Sequence, residues 1–252
     1  MDPETQLIEI AVSGRWTRRA WAGTRTLLSS CLAEQPAGIL MDLSRLDDPH
    51  SQSASLWRTA AREAGQSPVP IRMAVCLPDD AALAVRLRRV GACHRLAIYP
   101  DLAGGRAALL SERPPADELR ITLPPLLNTT MTARNVVSAA CREWDLHGLR
   151  PRALFVASEL VLNAVEHAGT SMTLSVARLM SRRRSSYRPQ PLLRLTVHDL
   201  SPELPRLLAP SLTTPLERGQ GLRIVDAAAE TWGALPTRTG KLVWAILKER
   251  PV

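Results

Sequence analysis

The sequence predicts an α/β protein of two domains, and three observations carry this prediction. In the first half, short apolar segments alternate with helix-compatible segments across brief connections, which is typical of a layered α/β fold. In the second half, helical segments precede strand-like segments, as expected of a two-layer sandwich. Between the halves, residues 113–118 are polar and contain two prolines, which is typical of a domain boundary. We therefore expect domains over residues 1–112 and 123–252, joined by a linker and edge strand over 113–122.

The composition indicates a globular chain with hydrophobic cores. Of the 252 residues, 45% are hydrophobic, which argues against extensive disorder. The formal net charge is +8, and nearly all basic residues are arginines, because Lys241 and Lys248 are the only lysines. Apart from the run at residues 182–184 the arginines are scattered, so we do not expect direct nucleic-acid binding.

No part of the sequence indicates export or membrane insertion. The N-terminus lacks a basic region followed by an apolar run, and no stretch approaches the ~20 apolar residues of a spanning helix. The cysteines show neither zinc-ligand spacing nor a disulfide pattern; they are Cys31, Cys76, Cys93 and Cys141. We expect a cytoplasmic protein that does not contact a membrane.

In the first half, apolar periodicity and turn residues define each element in order. Nearly continuous apolar runs predict strands that are covered on both faces. The predicted strands lie at residues 7–13, 38–43, 71–76 and 96–99, and the predicted helices at 18–33, 55–64, 80–90 and 101–110.

In the second half, an edge strand is predicted first, and Gly169 is expected to end the central helix. An Arg-, Ser- and Pro-rich stretch at residues 181–191 is typical of an exposed hairpin loop. The predicted strands lie at residues 119–123, 173–177, 192–198 and 241–247, and the predicted helices at 129–144, 152–168 and 221–230.

The central helix separates an apolar face from a compact polar face. At about 100° per residue, seven apolar side chains share one arc: Leu154, Ala157, Leu160, Val161, Ala164, Val165 and Ala168. The opposite arc carries carboxylates, an amide and an imidazole: Glu159, Asn163, Glu166 and His167. This polar arc is either an ordinary solvated face or the wall of a site.

Two further features follow the central helix. Asp199 ends a strand, which is compatible with an ordinary turn residue. After a Pro-rich loop, Gly219-Gln220-Gly221-Leu222 opens a helix, and two glycines at a helix start let backbone N–H groups approach a phosphate. A glycine pair of this kind is also compatible with a turn followed by a cap.

Taken in order, these motifs resemble those of the GHKL ATP-binding superfamily, and more narrowly its anti-sigma-factor serine kinases. The resemblance covers residues 123–247 and implies a two-layer α/β sandwich that binds ATP and Mg²⁺. It implies that Asn163 holds the Mg²⁺ on the triphosphate and that Glu159 is the general base toward a serine hydroxyl. His167 is expected to support the end of the helix.

The same resemblance assigns the nucleotide contacts. Asp199 would accept a hydrogen bond from the adenine amino group, and Ser201 stands where the family usually has glycine. Phosphates would lie at Gly219, Gly221 and Leu222, with residues 202–218 as a lid. Lys241 stands where threonine is frequent, so it is not assigned a nucleotide contact.

The first half resembles a STAS domain, the fold of anti-anti-sigma factors. The resemblance rests on Gly14 after the first strand, on Met41-Asp42-Leu43-Ser44-Arg45-Leu46, and on the turn that starts at Ser51. It makes Ser51 a possible phospho-acceptor, although His50 and Ser53 depart from the family's Asp and Gly. The alternative is that Ser51 is an exposed N-cap of the following helix.

These observations lead to two hypotheses on function. The first is a Mg-ATP-dependent protein-serine kinase and anti-sigma factor that acts on STAS-type proteins to control transcription. The second is a catalytically inactive, nucleotide-dependent switch that sequesters a sigma factor or a STAS partner. A histidine kinase is disfavoured because the first half lacks long paired helices. The resemblance also implies a possible homodimer.

Overall fold

The computed structural model describes residues 2–67, 69–89, 96–111, 117–181, 190–205 and 221–249. The chain divides into two compact units, Met1–Pro114 and Pro115–Val252. Within the described ranges, no helix combines the length and the apolar character needed to cross a membrane.

The first unit alternates strands and helices along the chain, as predicted. Its elements are β1 (Leu7–Ala11), β2 (Gly14–Arg15), α1 (Arg18–Ala33), β3 (Gly38–Asp42), β4 (Leu46–Asp47), α2 (Ala54–Ala64), β5 (Arg72–Cys76), α3 (Ala82–Arg89), β6 (Leu96–Tyr99) and α4 (Leu102–Ser111). The main sheet has the strand order β1-β3-β5-β6 and every pairing in it is parallel. The short β2 and β4 form a separate parallel pair, which the sequence did not predict.

The central strand β3 is apolar because both faces of its sheet are covered. Ile39, Leu40 and Met41 are completely buried, as expected of a parallel sheet between helical layers. Helix α4 packs against β3, β5 and β6, and α2 contacts β5 and β6. The α/β class predicted for this half is therefore confirmed.

The second unit places helices against one antiparallel sheet. Its elements are β7 (Glu118–Leu123), α5 (Thr129–Glu143), α6 (Arg150–His167), β8 (Met172–Ser181), β9 (Gln190–Asp199), α7 (Gly221–Ala228), β10 (Thr231–Pro236) and β11 (Lys241–Lys248). The strand order is β10-β11-β9-β8-β7, with antiparallel pairing throughout. Strand β7 lies at the edge of this sheet, as predicted.

Strands β8 and β9 are longer than the sequence predicted. Their pairing continues from Met172 opposite Asp199 to Ser181 opposite Gln190. The polar residue Arg194 interrupts the apolar pattern of β9, yet it pairs with Ala177 and is buried. Backbone pairing between β8 and β9 continues beyond the apolar segments from which the two strands were predicted. The predicted hairpin loop lies largely outside the described residues.

Helix α6 packs its apolar face into the main core of this unit. It has Pro151 in its first turn, where no backbone N–H donor is lost to the helix. It stops at Gly169, whose positive φ of 59° suits glycine and whose N–H donates to the Ala164 carbonyl at 3.1 Å. The buried residues are Ala153, Val156, Ala157, Leu160, Val161 and Ala164. The buried arc is thus rotated slightly from the predicted one, and Leu154 and Val165 pack at its margin.

This packing makes the effect of truncating a side chain depend on its face. Leu160 is 1% exposed and Phe155, on the same helix, is 59% exposed. We expect Leu160→Ala to lower the free energy of unfolding by about 2–5 kcal/mol, because it leaves a cavity. Phe155→Ala, the matched control, should change it by less than about 0.5 kcal/mol. Urea denaturation of both variants measures the difference, and equal losses would contradict the assigned face.

Candidate functional site

The polar face of α6 meets the N-terminus of α7. A Cβ placed on Gly221 would fall onto Glu159 Oε2 and would lie 3.7 Å from Asn163 Oδ1. Gly221, Glu159 and Asn163 therefore share one point of contact, although they are far apart in the sequence. The structure brings together the central helix and the second glycine of the Gly-x-Gly motif. The first glycine, Gly219, lies outside the described residues.

Gly221 allows the backbone at the start of α7 to approach the α6 side chains closely. Any larger residue would compete with the Glu159 carboxylate for space. Leu222 follows and is buried, as is Val225 one turn later, so the first turn of α7 is anchored in the core. The N–H groups of a first helical turn have no partner within the helix, and they favour anions. The contact point thus combines a carboxylate, an amide and a helix N-terminus.

Asn163 carries a buried donor that the protein leaves unsatisfied. Its Nδ2 is buried, and among the described residues nothing accepts a hydrogen bond from it. Its Oδ1 is the atom that faces the Gly221 position. Burying an amide without a partner costs on the order of 1–3 kcal/mol. Such an atom beside a carboxylate and a helix N-terminus is typical of a ligand site.

Asp199 provides a second unsatisfied buried atom. It ends β9, is 1% exposed, and lies on the same sheet face as Val197, which packs in the helix-covered core. Its Oδ1 accepts from Lys241 Nζ and from Ser201 N, both at 2.9 Å. Its Oδ2 is buried, and no described residue donates to it. One oxygen of the carboxylate is thus held by the protein, and the other is left for a partner.

Ser201 positions the Asp199 carboxylate through its backbone. Its N–H donates to Oδ1, an interaction that does not require glycine. The neighbouring Leu200 N–H donates to Thr170 Oγ1 at 3.2 Å, which ties this segment to the loop after α6. Ser201 is therefore compatible with an ordered turn after β9.

The predicted polar arc of α6 divides into two parts. Glu159 and Asn163 are partly buried against α7, whereas Glu166 and His167 are exposed. Burial raises the pKa of the Glu159 carboxyl above its usual value, and the negative charge of Glu166 raises it further. A carboxyl with a raised pKa is a better proton acceptor at neutral pH. The chemically relevant part of the arc is thus Glu159 with Asn163.

Lys241 is a buried neighbour of Asp199, although the sequence assigned it no contact. It faces Asp199 across the β9–β11 ladder, is 4% exposed, and pairs with the Asp199 carboxylate. The available signal was weak: Lys241 is one of two lysines in a chain whose other basic residues are arginines. Its contact with Asp199 follows from strand register, which the sequence pattern did not define.

In the first unit, the expectation that Ser51 is an exposed helix cap is wrong. Helix α2 begins at Ala54, and its N-cap position is Ser53. Ser51 precedes the helix, has a positive φ of 53°, and is only 4% exposed. A hydroxyl in this position is not presented to an incoming kinase unless the turn opens.

The turn around Ser51 is organised by Asp48, which the sequence reasoning missed. The Asp48 carboxylate accepts from Gln52 N at 2.8 Å, from Ser53 N at 2.8 Å and from Ser53 Oγ at 2.6 Å. Trp57 Nε1 in turn donates to Ser53 Oγ at 2.9 Å. Left-handed backbone is unfavourable for a residue with a side chain, and these hydrogen bonds offset the free-energy cost of the positive φ at Ser51. The sequence feature that could have indicated this role is an aspartate a few residues before a predicted helix.

No protein-family model matches this chain, and a comparison with curated proteins finds no significant relative.

The raised pKa of Glu159 predicts how its neutralisation affects stability. The stability contribution of a carboxyl with a raised folded-state pKa is fully present below its unfolded pKa and is lost as pH rises through the folded value. We therefore expect Glu159→Gln to raise the melting temperature at pH 8, and the gain to shrink toward pH 4.5, the usual Glu value. Differential scanning calorimetry across this range measures the effect. Glu143→Gln, at an exposed position on α5, is the control and should show no such trend; a constant difference for Glu159→Gln would contradict the prediction.

Proposed function

We propose that this protein is an ATP-binding regulator, and specifically a Mg-ATP-dependent protein-serine kinase and anti-sigma factor. The observation that carries the proposal is the convergence of Glu159, Asn163 and Gly221 at the start of α7. In this proposal the second unit is a GHKL-type ATP-binding domain, and the first is a STAS-like domain. Its partners would be a STAS-type anti-anti-sigma protein, a sigma factor, or both, in the cytoplasm and with a possible homodimer.

In this proposal, Asp199 and the N-terminus of α7 would bind the two ends of an adenine nucleotide. Asp199 Oδ2 is an acceptor suited to an amino group, and the N-terminus of α7 at Gly221 and Leu222 is suited to phosphate oxygens. Ser201 holds the Asp199 carboxylate in place. The proposal also includes Gly219 as a phosphate contact and residues 202–218 as a lid.

Asn163 fits the role of a Mg²⁺ ligand. The described residues contain no cluster of three His, Cys, Asp or Glu side chains that could hold a metal ion. Mg²⁺ needs no such cluster, because it commonly uses one or two protein oxygens beside phosphates and water. Asn163 Oδ1 faces the same point as the Gly221 backbone and would supply this oxygen. When bound, Mg²⁺ neutralises negative charge on the phosphates.

Glu159 would move the proton in phosphoryl transfer. As the serine oxygen of a substrate bonds to the γ-phosphorus and ADP leaves, Glu159 would accept the hydroxyl proton. Its raised pKa favours this role at neutral pH, and its contact with Gly221 would bring the carboxylate close to phosphates bound at the start of α7. The site otherwise acts by positioning, which supplies most of the catalysis in phosphoryl transfer.

The burial of Ser51 favours the alternative function, a nucleotide-dependent switch without turnover. In the observed conformation Ser51 is 4% exposed, so its hydroxyl is not accessible as a phospho-acceptor. Such a STAS-like unit would act as a docking module. The protein would then sequester a sigma factor or a STAS partner in response to bound nucleotide.

The experiment that separates these functions follows phosphate after incubation with Mg-ATP. The purified chain is incubated alone and with STAS-domain proteins, and intact mass and phosphosite mapping are then recorded. Phosphate on an added STAS protein supports the kinase proposal, and phosphate on Ser51 indicates transfer within the chain after opening of its turn. Bound ATP without any transfer supports the switch. Absence of ATP binding by calorimetry refutes both.

Glu159→Gln tests the assignment of the base. We expect it to retain ATP affinity, because the amide keeps the shape of the side chain, and to lower the transfer rate by about 10²–10⁴-fold. Glu143→Gln, at an exposed position on α5, is the control and should leave the transfer rate unchanged. Transfer is measured with radiolabelled ATP, and affinity by calorimetry. A Glu159→Gln protein that still transfers phosphate would exclude Glu159 as the base.

A further inference from the structure

The buried ion pair between Lys241 and Asp199 lies on the helix-facing side of the sheet. The two residues are direct cross-strand neighbours at the ends of β11 and β9. Their side chains are 5% and 1% exposed, and Lys241 Nζ lies 2.9 Å from Asp199 Oδ1. Along the same face, Val197 and Val243 continue the two strands into the core. The pair therefore closes the end of the core where β9 ends.

Gly240 fixes the position of this pair. A Cβ on Gly240 would fall onto the Asp199 carbonyl oxygen and would lie 2.6 Å from Leu200 Cα. Both contacts are with backbone, which cannot move aside as a flexible side chain can. Glycine at position 240 thus allows β11 to begin directly against the Asp199–Leu200 backbone. This close approach sets Lys241 opposite Asp199.

The pair is only partly satisfied by the protein. Asp199 Oδ2 has no donor among the described residues, although the atom is buried. An ammonium group has three N–H donors, and in the described part of the chain Nζ gives one hydrogen bond, to Asp199 Oδ1. A buried ion pair that serves structure alone is stabilising when its remaining hydrogen-bonding sites are also matched. Here an acceptor and a donor remain side by side.

An acceptor beside a donor complements the Watson–Crick edge of adenine. Adenine presents an amino donor at N6 next to an acceptor at N1. Guanine presents an acceptor at O6 next to a donor at N1, so it could complement the same pair in the opposite orientation. Asp199 offers one free oxygen, because Oδ1 is already held by Lys241 and by Ser201 N. The arrangement therefore fits the N6–N1 edge of adenine, and the choice of adenine follows from the proposed function.

We propose that Lys241 is a base-reading residue: its Nζ donates to N1 of adenine while Asp199 Oδ2 accepts from N6. This assignment rests on the proposed function as an ATP-binding protein and specifies how that site reads its base. Lys241 thereby has two roles. It pairs with the Asp199 charge inside the protein and supplies a direct contact to the nucleotide.

The test changes the ligand first, so that the folded wild-type protein can be used. Calorimetry compares ATP with 1-deaza-ATP, in which N1 is replaced by C–H, and with purine riboside triphosphate, which lacks the amino group. Loss of a buried hydrogen bond to a charged group corresponds to about 10–100-fold in affinity. We expect wild-type protein to bind each analogue about 10–100-fold more weakly than ATP.

Variants then assign the N1 contact to Lys241. Lys241→Met should bind ATP and 1-deaza-ATP equally, because the donor to N1 is gone, while it still discriminates against purine riboside triphosphate. Lys248→Met changes the other lysine of the same strand. It should keep the wild-type ratios of affinity between ATP and each of the two analogues. Since Lys241→Met leaves Asp199 buried without its cation, Lys241→Met with Asp199→Asn is the second variant. It should bind ATP and 1-deaza-ATP equally.

The outcomes separate this inference from the proposed function. Equal wild-type affinity for ATP and 1-deaza-ATP would overturn the Lys241 contact and leave ATP binding intact. A difference in affinity between ATP and 1-deaza-ATP that persists in both Lys241 variants would overturn the Lys241 contact as well. No binding of ATP to wild-type protein would refute the proposed function, and the base-reading role with it.

Discussion

The packing of α6 against the five-stranded sheet is the contact on which the second unit and its site depend. Ala153, Ala157 and Ala164 on its buried face are small, so the helix can approach β9 and β11 closely. Burial of this face determines the direction of the opposite side. Glu159 and Asn163 therefore point toward α7. The site is a consequence of core packing, since removing apolar side chains from α6 would displace its polar residues as well.

The two carboxylates of the site lie in different electrostatic surroundings. Asp199 has a lysine ammonium at 2.9 Å and a backbone N–H at the same distance. Glu159 is near another carboxylate, Glu166, and burial with this repulsion raises its pKa. One group thus has its charge balanced inside the protein, whereas the other is disposed to take up a proton. This difference agrees with the proposed roles, in which Asp199 recognises adenine and Glu159 accepts a proton.

The first unit shows how a local hydrogen-bond network can restrict access to a candidate acceptor. Three donors converge on the Asp48 carboxylate, and they hold the turn in which Ser51 adopts a left-handed backbone. Opening this turn would break these bonds. Ser51 therefore stays buried as long as this turn is closed.

The sequence by itself determined the class of the fold and most of its elements. Apolar periodicity predicted α1 at residues 18–33 and β6 at 96–99 with the observed bounds, because local pattern and burial agree there. Through a family resemblance in the order of its motifs, it also proposed Glu159, Asn163, Asp199 and Gly221 as candidate site residues. What the sequence did not predict are contacts between residues that are far apart along the chain.

Only the tertiary structure decided which of these residues meet. The contact of Gly221 with Glu159 depends on how α7 packs against α6, and the Lys241–Asp199 pair depends on antiparallel register. The burial of Ser51 depends on a turn closed by Asp48. A one-dimensional pattern records the preference of each segment for water or for a core. It does not record which two segments share that core, and this choice gives a buried lysine its partner.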